Sequence, residues 1–327
     1  MHGFEERSMI VVCGEALMDV FPAGPAAHGL LLDARVGGSP FNVAVGLARL
    51  GQPVAFFGGL STDFAGDRLL LALREEGVAT EFAVRLDAPT ALSLVGVDAQ
   101  GQPSYSIHTQ GAADRLLPRV AAHRVPPGCR ALHLGSYAMV VEPVAATMRA
   151  LVERECMEAF IAYDPNVRLA VEPDRQRWRE AVAWMARRAD LLKVSHEDLA
   201  LLYPGADPLA LLEDWLAQGV SLVVLTQGAR GALAVTRRAR VQVDALPCEV
   251  VDTVGAGDTF QAALLAWLAE HAALSAAAIA HLPAQTLRRL LAFACCAAAI
   301  TCERRGADLP RRAELPAAST GEPASAP

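Results

Sequence analysis

The densest chemistry in this 327-residue sequence lies in Asp252-Thr253-Val254-Gly255-Ala256-Gly257-Asp258-Thr259-Phe260, followed by the apolar run 262–268. Two glycines around an alanine let the backbone turn tightly, and a helix starting there aims free N–H groups and its positive end at one point. The amides of Gly255, Ala256 and Gly257 would then form an anion hole. Asp258, in the first helical turn beside it, could take a proton from a hydroxyl attacking a bound phosphoryl group. The same residues also fit a plain loop in which Asp258 only caps a helix. A second constellation, Gly37-Gly38-Ser39-Pro40-Phe41-Asn42, opens another helix. Glycines admit a polar ligand close to the backbone, and the Asn42 amide both donates and accepts, which suits a polyol. Pro40 by itself is a helix-start residue.

Composition removes several alternatives. Of the 29 basic residues, 28 are arginine and one, Lys193, is lysine. A P-loop needs lysine followed by serine or threonine, and Lys193 is followed by Val194. Schiff-base chemistry, or an ATP lysine of the protein-kinase type, is confined to that one residue. With 36 acids against 29 bases the net charge is −7, which argues against a nucleic-acid partner. Every apolar run carries polar breaks and the first residues lack a signal-peptide pattern, so no membrane span and a cytoplasmic location are expected. Seven cysteines without a CxxC pair read as reduced thiols, with Cys295 and Cys296 as small packing residues on an Ala-rich helix.

Positioning these residues falls to a regular alternation. Strands are expected at 9–13, 54–57, 160–163, 191–194 and 222–226, and helices at 40–50, 67–76, 178–188 and 209–218. Continuous apolar strands spaced by helices imply an α/β fold with a doubly wound, mostly parallel sheet covered on both faces. Residues 30–36 and 90–109 break the rhythm as half-exposed extended stretches, the second with a hairpin turn at 98–103. Together they suggest a small β lid over one end of the sheet, drawn from about 16–36 and 88–112. Residues 311–327 are rich in Pro, Ala, Ser and Glu and are expected to be a disordered tail behind a main unit of 8–310.

The two glycine motifs, in this order and about 220 residues apart, resemble the ribokinase-like (PfkB) family of carbohydrate kinases. The resemblance runs from Met9 to about Pro310. It is most similar to the fructokinases, through Cys13-Gly14-Glu15-Ala16-Leu17-Met18-Asp19, Asp164-Pro165-Asn166-Val167-Arg168 and Leu192-Lys193-Val194-Ser195. The resemblance implies an ATP-dependent kinase for a primary sugar hydroxyl, with fructose as the leading substrate and magnesium as cofactor. It makes Asp258 the base and Gly255, Ala256 and Gly257 the anion hole. It places the sugar at Asp19, Gly37, Gly38 and Asn42, with Arg168 near the substrate. It places ATP at Lys193, Thr226, Gly228 and Gly231. Asp252, the Val254 carbonyl and the loop at Gly306 match a monovalent-cation site, taking potassium. Lid strands with an exposed apolar face suggest a homodimer.

Departures from the family pattern mark where the transfer is weakest. The Asn-x-x-Glu motif that organises magnesium-bound water reads Ser195-His196-Glu197-Asp198, with Asp198 keeping a carboxylate. A frequent Phe-Tyr-Arg in the lid reads Ile107-His108-Thr109, before Ala113-Asp114. Near the adenine site Cys295 replaces an asparagine, and Glu303-Arg304 replaces Thr-Arg. His108 is a candidate hydroxyl ligand or a histidine on a polar strand face, and His133 reads as a satisfied core histidine. Rival substrates are ribose, 2-keto-3-deoxygluconate and an aminoimidazole riboside or other nucleoside. A non-catalytic sugar or nucleotide sensor and a Schiff-base lyase through Lys193 are the rival classes.

Overall fold

The computed structural model describes residues 9–97 and 103–316. The chain opens with β1 (Ile10–Cys13) and a hairpin of β2 (Leu17–Ala26) and β3 (Gly29–Gly37). It continues through α1 (Ser39–Arg49), β4 (Val54–Phe57), β5 (Gly59–Ser61), α2 (Phe64–Glu75) and β6 (Val84–Leu86) to a second hairpin, β7 (Leu92–Val97) and β8 (Pro103–His108). The middle of the chain supplies β9 (Ala131–Gly135), α3 (Val144–Glu155), β10 (Phe160–Asp164), α4 (Arg175–Met185), β11 (Leu191–Ser195), α5 (His196–Leu202), α6 (Pro208–Gln218) and β12 (Leu222–Thr226). A terminal hairpin, β13 (Ala232–Val235) and β14 (Arg240–Val243), leads into α7 (Ala256–Glu270), α8 (Ala276–Ala280) and α9 (Ala284–Cys302).

The expected doubly wound α/β sheet is present, in the order β14-β13-β12-β11-β10-β9-β1-β4. Strands from β12 to β4 run parallel, while β13 and β14 add an antiparallel edge. Side chains alternate across this sheet as strand geometry requires. Ile10 and Val12, Ala162 and Val224 face one core with α1, α7 and α9. Val11 and Cys13, Ile161 and Tyr163 face the other core with α3, α4 and α6. By the same parity His133, Asp164 and Lys193 lie on the α7 face.

The two hairpins form a separate four-stranded sheet, β3-β2-β7-β8, which is the expected lid. Its turn at 98–102 lies outside the described residues. Boundaries differ from expectation where caps override periodicity. Helix α2 starts at Phe64 because the Asp63 side chain accepts from the Gly66 amide, and α4 starts at Arg175 because Asp174 caps it. The expected tail at 311–327 is folded in its first part. Residues 311–316 carry a short 3-10 turn at Arg312–Glu314, Leu315 is buried in the core, and Arg304 pairs with Glu314. Residues 317–327 lie outside the described residues. Among the described residues, no helix is long and apolar enough to cross a membrane.

Candidate active site

Helix α7 begins at a left-handed Gly255 (φ 79°), where a side chain would press on Ala307. Its first turn carries Asp258, only 8 % exposed. Both oxygens of that carboxylate are held by α1: the Ser39 hydroxyl donates to Oδ1 at 2.7 Å and the Asn42 amide donates to Oδ2 at 2.8 Å. Gly38 is the N-cap of α1, at φ 103°, and makes no side-chain cap, so the Ser39 hydroxyl is free to reach across to α7. The structure therefore joins the two glycine motifs through one carboxylate, and Ser39 joins the candidate residues. The Ala256 amide, expected in the anion hole, is engaged within the loop, donating to Thr253 O at 3.2 Å. The Gly257 amide, one residue further into the helix, belongs to the first turn, where N–H groups lack helical partners.

Residues 258–269 of α7 are buried on all sides, so hydrophobicity alone cannot set the helix's rotation. Polar contacts do so. Thr259 meets Thr301 of α9 at 2.8 Å, and Gln261 meets His133 of β9 at 3.4 Å. Burial, reinforced by Lys193 nearby, lowers the His133 pKa to about 3, so it is the neutral core histidine expected.

Lys193, at mid-strand in β11, is 4 % exposed and donates to Asp164 Oδ2 at 2.7 Å. Burial works to lower its pKa, but Asp164, Asp198 and Asp258 outweigh that and hold the ammonium above its ordinary value. The cation stands beside Gly257, whose absent Cβ would lie 3.4 Å from Nζ. Burial pushes Asp164 up to about 6 against the pull of Lys193, and its Oδ1 is buried without a partner. Asp164 is a site residue that sequence reasoning does not single out, although an acid at a strand end inside Asp-Pro-Asn is its visible signal.

Asp19 on β2 faces Asp258 closely enough to feel its charge. Burial first, then Asp258, raises the Asp19 pKa, while a hydrogen bond from Ser93 and the Arg168 guanidinium oppose this. Gly37 and Asp19 are fitted to each other, since a Cβ at 37 would collide with the Asp19 carboxylate. A Cβ at Gly38 would crowd the backbone at Glu15 and Ala16. Arg168, exposed, donates to Val167 O at 3.0 Å and also acts on Glu15. Glu15 and Asp114, at the two roots of the lid, are both buried. Ser136 hydrogen-bonds Glu15 and the Tyr137 hydroxyl donates to Asp114 at 2.8 Å. Ser136 follows β9 and Asn166 follows β10, and both take positive φ (54° and 40°), the strained backbone that collects at functional sites.

The remaining candidates divide. Asp252 accepts from the Val254 amide at 3.1 Å and the Gly306 amide at 2.8 Å, so the three expected cation-site residues are together. Thr226 ends β12, and Gly228 and Gly231 bound the tight turn after it. Gln227, between Thr226 and Gly228, has a buried amide oxygen without a partner. Asp198 is occupied with holding backbone. Its Oδ1 accepts from the Val167 amide at 2.9 Å, and the side chain forms a capping box with Ser195 at the start of α5. The Ser-x-x-Asp replacement thus reads as a helix start. His108 is exposed on β8 against Ser106, at 3.1 Å, and no hydrogen bond joins it to the Asp19–Asp258 group. The Arg35–Asp33 pair is a further feature that the sequence does not announce. Arg35 and Arg305 line a cavity of about 190 Å³ with Asp19 and Gly306.

Comparison with known proteins gives the chain a family and a fold. Residues 7–314 match the pattern described as pfkB family carbohydrate kinase. A fructokinase from Rhizobium leguminosarum bv. trifolii is 36% identical over 280 residues, 86% of each chain. Among solved structures, a fructokinase with bound ATP from Xylella fastidiosa superposes with a TM-score of 0.84 at 30% identity, covering 94% of this chain and 97% of that one. A fructokinase double mutant from Vibrio cholerae O395, bound to fructose, ADP and potassium ion, gives 0.78 at 26% identity, covering 92% and 94%.

Proposed function

Because this chain belongs to the pfkB family of carbohydrate kinases, we propose that it transfers the γ-phosphoryl group of ATP to a primary hydroxyl of fructose, giving fructose 6-phosphate. The observation that carries this reading is the Asp258 carboxylate, buried at the first turn of α7 and gripped by Ser39 and Asn42 beside Gly257 and Lys193. A carboxylate accepting two hydrogen bonds keeps lone pairs for a third donor, the attacking hydroxyl, and can receive its proton. Asp19 and the open backbone at Gly37–Gly38 hold other sugar hydroxyls, with Arg168 at the substrate's edge. Lys193 and the Gly257 amide meet the transferring phosphoryl group, where charge stabilisation and positioning dominate. Thr226, Gly228 and Gly231 carry the nucleotide.

Among the described residues no cluster of three or more His, Cys, Asp or Glu could cage a metal ion. Magnesium suits such a site when one or two carboxylates and the nucleotide's own phosphates hold it. The unpartnered Asp164 Oδ1 fits that need, whereas Asp198 is engaged with backbone. Magnesium would neutralise charge on the phosphates. Asp252, Val254 and Gly306 offer oxygens suited to potassium, which would steady the loop ahead of α7. The lid's outer strand exposes Leu30, Leu31 and Leu32 at 71, 55 and 57 %, and a second copy of the chain is the occupant we assign to that edge. The use of ATP and seven free thiols support a cytoplasmic location.

One observation favours a second substrate. The cavity beside Asp19 is lined by Arg35 and Arg305, guanidinium groups suited to the carboxylate of a keto-deoxy acid. An ADP-release assay with purified protein over ketoses, aldoses, keto-deoxy acids and nucleosides tests both readings. Turnover with fructose far above the other sugars supports the first, and preference for an acid supports the second. Absence of sugar-dependent ADP release defeats both.

A further inference from the structure

All seven cysteines are free thiols, and two of them meet at the base of the Asp252–Gly306 clasp. Cys248 lies on the segment between β14 and α7, four residues before Asp252. Cys302 is the last residue of α9, four residues before Gly306. The segment is laid against the helix end by two backbone hydrogen bonds, from the Val251 amide (2.8 Å) and the Asp252 amide (3.2 Å) to the Cys302 carbonyl. The Cys248 thiol lies near enough to Cys302 to act on it. Both are partly exposed, and the flanking Leu246 and Val250 stand in solvent at 46 and 61 %. Of the other neighbouring thiols, Cys13 and Cys129 are sealed in the core, and Cys295 and Cys296 are consecutive on α9, with Cys295 buried.

We propose that Cys248 and Cys302 form an oxidation site that closes into a reversible disulfide and fastens the two segments carrying the Asp252–Gly306 clasp. Hydrogen peroxide is the oxidant class that suits a solvent-reached thiol. The Cys248 thiolate attacks one peroxide oxygen, the O–O bond breaks, and a sulfenic acid and hydroxide result, the hydroxide taking up the proton that the thiol released to give water. The Cys302 thiolate then attacks the Cys248 sulfur, the S–S bond forms, and hydroxide leaves and is protonated to water. In sum two thiols and one peroxide give one disulfide and two waters.

The test is thiol mapping of the full chain after peroxide treatment, by non-reducing peptide mass spectrometry and by thiol titration in denaturant. It needs no substrate, so its outcome is separate from that of the kinase assay. The expected result is a fall from seven titratable thiols to five. A peptide joining Cys248 to Cys302 should be present, and dithiothreitol should reverse the crosslink. Cys248→Ser and Cys302→Ser should each remove the crosslink without creating another. Retention of all seven thiols, crosslinking elsewhere, or over-oxidation of Cys248 with no crosslink would overturn the proposal.

Discussion

The Ser39 hydroxyl donates to Oδ1 of Asp258 at 2.7 Å, joining side chains 219 residues apart in the chain. Asn42, one turn further along α1, takes the other oxygen. A carboxylate gripped on both sides has one rotamer, and a base that does not have to find its orientation leaves only the substrate to be positioned.

Removal of one grip should therefore show in turnover and spare nucleotide binding. Ser39→Ala is expected to lower kcat roughly tenfold, in line with one hydrogen bond to a charged group, with the KM for ATP unchanged. Asp258→Ala should cost roughly 100- to 10,000-fold in kcat, with ATP affinity by calorimetry close to that of the parent. Substantial residual turnover in the Asp258 variant would remove it as the base.

Lys193→Arg tests a compact ammonium against a planar guanidinium. The site is sealed, and Nζ is fitted between Asp164 and the start of α7, so the larger head has no room and Asp164 loses its close partner. Steady-state kinetics should show a several-fold rise in the KM for ATP or a matching fall in kcat, and calorimetric melting should show a lower Tm. A kinetically silent variant would mean that the lone lysine only anchors Asp164.

Gly37→Ala places a methyl group against the Asp19 carboxylate. The carboxylate must turn, and the sugar rather than the nucleotide should register the change. The KM for the sugar is expected to rise by roughly an order of magnitude, the loss of about one good hydrogen bond, while the KM for ATP holds. Equal effects on both constants would argue that the lid as a whole had shifted.

Glu15 sets a pH dependence of stability. Burial raises its pKa from 4.5 to about 8, against hydrogen bonding from Ser136 and the pull of Arg168. A carboxyl whose pKa is higher in the folded state binds its proton more tightly there, so its contribution is full below the unfolded value and lost as pH rises through the folded one. Tm should therefore fall between about pH 4.5 and pH 8, and Glu15→Gln should flatten that slope. Parallel Tm–pH curves for parent and variant would exclude Glu15 as the source.

The sheet is legible in the sequence because its strands are buried on both faces and read as unbroken apolar runs such as Leu222-Val223-Val224-Leu225. Strand β2 is harder to see, since Pro22, Gly24 and Pro25 lie inside it. Its pairing with β7 covers only Met18 to Val20, so the prolines fall where one side of the strand has no partner to bond, and the register slips between Pro22 and Gly24. Asp258 and Asn42 are legible as motif residues, but not that they bond to each other. Ser39 is hidden in Gly-Gly-Ser-Pro, which reads as an ordinary helix start until Gly38 proves to be the cap. Asp164 and Asp198 are nearly interchangeable on paper. Only the partners of their oxygens separate a carboxylate left open in the core from one spent on backbone amides.

The long reach of these contacts orders the birth of the site in time. A ribosome releases α1 early, but Asp258 emerges only after some four-fifths of the chain, and Gly306, which ties down Asp252, later still. Contacts of such sequence separation close late in folding. A chain that stops before α7 has the α1 grip and no base to fill it, and it lacks the α7 and α9 side of the core as well. Chains terminated before α7 are thus barred from spending ATP, and competence arrives only with Asp258 and Gly306.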